Sequence, residues 1–243
     1  MKTLVIIPSR MSATRLPGKP LLKINGLSII SHVTKKAEEA NIGDVIVATE
    51  DQEIIDDVKG NGFNAIMTSN KHKTGTDRIH EALKKSNIKD VDFVMNLQGD
   101  EPAIDIQDIV RLNDKMLQNP SKIGTLASII KENKNLKNEN IVKVITENAL
   151  GENNFPKGIS FLRMSKRIDN IYHHIGIYGF TSKALIRYVN CKRSKLELER
   201  NLEQMRALEN NMKIHVGYIK SNPLSIDTEE DFLEVKKEME SND

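Results

Sequence analysis

The chain is expected to fold as an α/β protein around a mostly parallel, doubly wound sheet, with a smaller mixed sheet region after it. Two observations carry that expectation. Short β-branched apolar runs such as Thr3–Pro8 (TLVIIP) and Asp44–Thr49 (DVIVAT) lack the alternation of a half-solvated strand, so they belong in a sheet covered on both faces. Between such runs lie segments whose apolar residues recur at helical spacing, the signature of βαβ crossovers.

In order, Thr3–Pro8 is the first strand, and the loop Ser9–Lys19 follows it. Leu27–Ala40 places Leu27, Ile30, Val33 and Ala37 on one helical face. Asp44–Thr49 is a second strand, and Asp51 is placed to cap a helix over Gln52–Lys59. Asn64–Met67, Val91–Leu97 and Ile123–Ile130 are further strands, and Asp77–Lys85 and Asp105–Leu117 are helices. Right-handed crossovers put the C-terminal strand ends along one edge, where open α/β sheets bind ligands. The loops on that edge are Ser9–Lys19, Glu50–Asp51, Ser69–Arg78 and Gln98–Pro102.

Beyond Ile130 the pattern loosens. Lys131–Asn140 (KENKNLKNEN) is polar and reads as a surface loop. Ile141–Thr146, Gly158–Arg163 and His174–Phe180 read as strands of the mixed region. Ser194–Asn210 reads as one long helix with Leu196, Leu198, Leu202, Met205 and Leu208 inward. Lys213–Ile219 is a strand and Thr228–Glu240 a closing helix. The expected organisation is one structural domain in three stretches: an α/β core over 1–130, the mixed region over 131–190, and C-terminal elements over 191–243 that complete the core.

The bulk properties fit a soluble globular protein rather than a disordered one. The 243 residues are 38% apolar and 29% charged, with a formal net charge of +2. So even a balance offers no concentrated basic face for nucleic acid. A lone cysteine, Cys191, can form no internal disulfide. No apolar run approaches the roughly 20 residues of a membrane span. The N-terminal run stops at Pro8 and Arg10, short of the about 7–15 apolar residues of a secretory signal, so a cytoplasmic location is expected.

Six segments carry chemistry. Ile7–Leu21 (IPSRMSATRLPGKPL) sets Arg10, Arg15 and Lys19 on one loop at a strand end, with Pro17 and Gly18 shaping it, as a compact polyphosphate requires. It is not a Walker A loop, and no GxGxxG is present. Asn96–Pro102 (NLQGDEP) ends a strand in a glycine turn bearing Asp100, whose carboxylate can hold Mg²⁺ or simply form the turn. Gln98 beside it can pair with a base edge or a sugar hydroxyl. Asp227, in SIDTEED, can be a second metal carboxylate, a helix cap, or both. Lys73–Arg78 (KTGTDR) enters a helix, with Arg78 either contacting phosphate or bracing the loop. In His173–Phe180 (HHIGIYGF) adjacent histidines face opposite ways, which argues against a zinc pair. One of them, with Tyr178 on the same face as His174, can bind a sugar. In Leu202–Leu208 (LEQMRAL), Glu203 and Gln204 read by composition as a solvated helix face.

Taken together, the chain resembles the 3-deoxy-manno-octulosonate cytidylyltransferase (CMP-KDO synthetase) family. The resemblance runs through Ala13–Leu21, Ala48–Asp51, Thr74–Arg78, Asn96–Pro102, His174–Phe180, LEQMRAL and Ile226–Phe232, in family order. It implies a nucleotide-diphosphosugar transferase fold that activates KDO or a close analogue with CTP for lipopolysaccharide synthesis. It implies Arg10, Arg15 and Lys19 on the CTP phosphates, with Lys19, Asp100 and Asp227 catalytic. Arg78, Asn96 and Gln98 would surround nucleotide and sugar. Asp100 and Asp227 would bind Mg²⁺, and Arg163, His174, Tyr178, Glu203 and Gln204 would contact the sugar acid. It also implies a homodimer, with sugar binding and pairing in the 131–190 stretch. The chain departs from the family where Arg163 runs into Met164-Ser165-Lys166-Arg167, and at Phe180-Thr181. A CMP-sialic acid synthetase or other sugar nucleotidyltransferase shares the chemistry. A non-catalytic sugar-nucleotide-binding module is the alternative of another class.

Overall fold

The computed structural model describes residues 1–12, 15–130, 133–166 and 169–241. Strand β1 is Thr3–Ser9, and its Leu4, Val5, Ile6 and Ile7 are fully buried. Each such side chain contributes roughly 1.5–3 kcal/mol of transfer free energy, so a continuous apolar run without alternation settles at the middle of a sheet. Then come β2 (Lys23–Ile24), β3 (Leu27–Ser28), α1 (Ile29–Glu39), β4 (Gly43–Thr49), α2 (Gln52–Gly60), β5 (Ala65–Met67), α3 (Gly75–Lys85), β6 (Phe93–Asn96) and α4 (Ile106–Gln118).

The β2–β3 hairpin differs from the expected helix start at Leu27. Asn25 and Gly26 between the strands both take positive φ, 47° and 80°. An Asn-Gly pair is the residue choice for a two-residue hairpin turn whose twist matches its strands. Helix α1 therefore begins two residues later, after Ser28, whose side chain accepts from Ser31 N at 3.2 Å. Asp51 occupies the N-cap position of α2 but makes no capping bond; its carboxylate accepts instead from Met11 N at 2.7 Å. Helix α3 starts at Gly75, not Asp77, because Thr74 supplies the cap to Asp77 N.

The second half contains β7 (Ile123–Ser128), a short 3-10 turn at Asn133–Leu136 inside the expected surface loop, β8 (Lys143–Thr146), β9 (Lys157–Leu162) and β10 (Ile171–Thr181). Next come α5 (Ser182–Asn190), which the sequence reading lacks, then α6 (Lys195–Arg200), α7 (Gln204–Glu209) and β11 (Ile214–Tyr218), and finally α8 (Glu229–Ser241). The single helix expected over Ser194–Asn210 is two. Asn201 adopts the left-handed conformation, φ 52°, and ends α6. Leu198 is 57% exposed, contrary to expectation, because the face of α6 that turns inward carries the fully buried Glu197.

The chain forms two compact units, Met1–Ile109 with Pro223 onward, and Val110–Asn222. In the first, four strands run in the order β5-β4-β1-β6, every adjacent pair parallel. Their C-terminal ends therefore share one edge. Helix α8 belongs to this unit: Val235 is buried with Ile24, Ile29 and Ile226, flanked by Phe232 and Met239. In the second unit the order is β10-β7-β11-β9-β8, mostly antiparallel, with β7 and β11 parallel. Strand β8 also pairs with β10, so the ladder returns to its first member. Among the described residues no helix is long and apolar enough to cross a membrane.

Candidate active site

The site of the first unit begins with Lys19. It is the first residue of a 3-10 turn, Lys19–Leu21, entered through Gly18 at φ 74°. Pro20 at that turn's start needs no N–H partner. The Lys19 side chain is only 11% exposed. Its ammonium donates to Asp100 Oδ2 at 2.8 Å and to the Ile226 carbonyl at 2.5 Å, and stands 3.5 Å from Asp227 Oδ1. Three sequence segments thus meet at one nitrogen. Ile226 N also donates to the Asp100 carbonyl at 2.9 Å, which ties the two acidic segments through backbone.

Each carboxylate is aimed by its local structure. Asp100 follows Gly99 in the turn after β6. A Cβ on Gly99 would lie 3.1 Å from both the Pro8 carbonyl oxygen and Ile30 Cδ1, so the turn hugs the end of β1 as only glycine allows without displacement. At the other segment, Thr228 and Asp231 cap α8 reciprocally. Asp231 N donates to Thr228 Oγ1 at 3.2 Å, while Asp231 Oδ2 accepts from Thr228 N at 2.8 Å and from Asp227 N at 3.0 Å. Thr228 rather than Asp227 thus caps the helix, and the Asp227 carboxylate is left to face cations. Arg15 Nη2 reaches Asp227 Oδ2 at 2.8 Å, half exposed, where an ion pair contributes at most about 1 kcal/mol. Arg10 is exposed just past the end of β1, on the same edge.

Glu101 is the residue whose importance sequence reasoning misses. It is buried, and its Oε2 has no hydrogen-bond partner. Burial first, then the charges of Asp100, Asp108 and Asp227, push its pKa up to about 8 against the opposing pull of Lys19. The carboxyl therefore stays protonated at neutral pH, chiefly because burial disfavours its charge. Asp100 and Asp227 offer an all-oxygen donor pair, which fits a hard divalent cation. Among the described residues no group of three or more His, Cys, Asp or Glu forms a metal cage. Asp100 and Asp227 would thus share a magnesium ion with water and phosphate oxygens, the usual arrangement for that ion.

The other first-unit candidates line the same edge. Asn96, the last residue of β6, is buried with its Oδ1 unpartnered, a polar atom that a ligand can satisfy. Gln98 is half-buried in the following turn. Arg78 braces the loop, as one of its two readings had it. It is 4% exposed, donates to Thr68 Oγ1 at 2.6 Å and pairs with Glu50, joining the ends of β4 and β5.

The remaining candidates lie in the second unit. Arg163, just after β9, is engaged by backbone: Nη1 donates to the Glu139 carbonyl at 2.9 Å, and Nε and Nη2 reach the Arg200 and Asn201 carbonyls at 3.3 Å. Its neighbour Arg167 lies outside the described residues. His174 and Tyr178 share a face of β10, ring centroids 5.4 Å apart, across a bulge that leaves Gly176 and Ile177 unmatched on β7. His173 instead meets Asn222 Oδ1 at 2.5 Å. The Tyr178 hydroxyl is buried, and burial with the nearby Tyr188 and Glu203 charges keeps it protonated well above its ordinary range. Glu203 is the N-cap residue of α7, and Gln204, its first residue, is half-buried.

His174 is buried against Phe161, with Nε2 3.0 Å from Thr125 Oγ1. Burial, helped by His173, holds its pKa down to about 3. In the unfolded chain the ring protonates near pH 6.5; in the fold it stays neutral to about pH 3. The unfolded state then binds the extra proton, and stability falls as pH drops through that window, with a limiting slope of ~1.4 kcal/mol per unit. His174→Gln is expected to flatten the urea-midpoint profile between pH 6 and 4; an unchanged slope would show that other groups govern acid unfolding.

The combination of a parallel sheet with cations and two carboxylates at its C-terminal edge defines a nucleotidyltransferase. A solved CMP:2-keto-3-deoxy-manno-octonic acid synthetase complexed with CTP superposes with a TM-score of 0.90 and 30% identity, covering 100% of both chains. The family model described as cytidylyltransferase matches residues 4–214, and the chain belongs to that family. The 3-deoxy-manno-octulosonate cytidylyltransferase of Rhizobium meliloti is 42% identical over 240 residues, 97% of this chain and 95% of that protein. The protein of the same name from Brucella ovis is 40% identical over 234 residues, 95% and 93% of the two chains.

Proposed function

We propose that this cytidylyltransferase joins CMP from CTP to 3-deoxy-manno-octulosonate or a close analogue, releasing pyrophosphate, as a step toward lipopolysaccharide. The observation that carries the reading is the meeting of Lys19 with Asp100 and Asp227, which lie 81 and 208 residues further along the chain. The names of its relatives support the choice of sugar.

In this mechanism the anomeric hydroxyl of the sugar acid attacks the α-phosphorus of CTP in line. A bond forms from that oxygen to phosphorus, the bond to the β-phosphate bridging oxygen breaks, and pyrophosphate departs. Such a transfer asks the protein mainly for positioning and charge neutralisation. Lys19, with Arg15 and Arg10, would hold the phosphate oxygens, Lys19 being kept in place by the Ile226 carbonyl. Asn96 Oδ1 and Gln98 would take the nucleotide or sugar edge, and Arg78 would keep the β4 and β5 loops in register. Asp100 and Asp227 would hold magnesium, which when bound supplies charge neutralisation and Lewis acidity to substrate oxygens. Arg163, His174, Tyr178, Glu203 and Gln204 are the proposed sugar contacts. The same reading takes the enzyme to be cytoplasmic and homodimeric.

A pyrophosphate-release assay with CTP and a panel of sugar acids tests this. Release is expected with 3-deoxy-manno-octulosonate or its 8-amino analogue, abolished by EDTA and restored by added Mg²⁺. Release with sialic acid alone would assign a different acid. CTP binding without turnover on any acid would make the chain a binding module.

A further inference from the structure

The second unit holds a buried polar relay outside the residues assigned so far. Glu197 and Arg206 are enclosed, and the carboxylate accepts from guanidinium Nε at 2.9 Å and Nη2 at 2.7 Å. The same guanidinium lies over the Tyr188 ring, 4.6 Å from its centroid. Tyr188, 2% exposed, donates its hydroxyl to the Glu203 carbonyl at 2.8 Å. Away from water, a cation over an aromatic face and a bidentate ion pair are both directional and strong. Ring, guanidinium and carbonyl therefore fix one another, and with them the start of α7.

Tyr178, joined to Tyr188 through the Phe180 ring, has an unmet need: its hydroxyl is buried and makes no full hydrogen bond. Thr125 approaches it, but the single Thr125 proton is directed to the Ile177 carbonyl at 2.8 Å or the Ile175 carbonyl at 3.1 Å, and His174 Nε2 lies 3.0 Å from the same oxygen. Phe180 lies 6.0 Å from Tyr178 and 5.9 Å from Tyr188 between ring centroids, an apolar neighbour that offers no hydrogen bond. A hydroxyl so placed calls for a ligand hydroxyl.

We propose that Tyr188 is a positioning residue for the sugar. Its bond to the Glu203 carbonyl, locked by the Arg206–Glu197 pair, sets where Glu203 and Gln204 stand at the start of α7. The ligand this favours is a polyhydroxylated acid with a hydroxyl to complete Tyr178. The inference rests on the reading of Tyr178, Glu203 and Gln204 as sugar contacts.

Tyr188→Phe removes one hydroxyl and keeps the ring. The KM for the sugar acid is expected to rise about three- to tenfold, as one lost hydrogen bond implies, with the KM for CTP within twofold. Arg206→Lys keeps the charge but loses the fork, and should move the same constant in the same direction if it folds. A purely structural loss would lower Tm and leave both KM values alike. An unchanged sugar KM in Tyr188→Phe, or equal rises for both substrates, overturns the proposal. A wild-type protein inactive on every sugar acid overturns the reading beneath it as well; an active wild type with an indistinguishable Tyr188→Phe variant overturns the positioning role alone.

Discussion

Asp227→Asn is expected to lower kcat by about 10²- to 10³-fold, the range seen when a group that stabilises transition-state charge is lost. The substitution keeps an oxygen within reach of Lys19 and Arg15 and does not touch the α8 cap, which belongs to Thr228 and Asp231. Tm should therefore shift little while turnover collapses. Half-saturation should also need more Mg²⁺, because one of two anionic donors is gone. Steady-state kinetics across a magnesium series, with a thermal melt alongside, separates the two effects. A variant turning over within fivefold of wild type at ordinary magnesium would remove Asp227 from the catalytic group.

Glu197→Ala should give the largest stability loss, about 3–5 kcal/mol, since it strands a buried guanidinium without its counter-charge. The same carboxylate also accepts from Ser194 N at 3.1 Å and pairs with Arg193, so the start of α6 loses its capping box. Removing both charges, in Glu197→Leu with Arg206→Met, should cost less than the single change, because no ion is then left desolvated. Urea unfolding of the two proteins makes the comparison. A loss under about 1 kcal/mol in Glu197→Ala would mean that water or a rearranged partner compensates Arg206.

What the sequence disclosed, and what it hid, follows the range of the interactions involved. Strands β1 and β4 are legible because a buried parallel strand needs only local composition. The β2–β3 hairpin carries its own local signal in Asn25-Gly26, which helical periodicity from Leu27 onward obscures. Helix α5 had a local signal in Thr181, which caps it by accepting from Ala184 N at 3.2 Å, but the helix is only nine residues long and follows β10 directly. The division between α6 and α7 turns on Asn201 in the left-handed conformation, and the inward face of α6 on Glu197, whose partner Arg206 lies nine residues away, beyond any periodicity. At the site, residue types were readable: Lys19 on a phosphate-type loop, Asp100 after a strand, Asp227 before a helix. Their convergence was legible only through the family resemblance, because it depends on contacts 81 and 208 residues apart. Glu101 stayed hidden for a related reason. Only tertiary burial leaves its Oε2 without a hydrogen-bond partner, close to three other acids.

The span of chain between Lys19 and Asp227 bears on how the first unit assembles. A contact 208 residues apart closes a long loop, and such contacts slow folding because the closure entropy precedes their reward. Helix α8 has to dock Val235 on Ile24 and Ile29 for Asp227 to stand by Lys19, so loosening that apolar seam would disperse the charged cluster without touching any of its members.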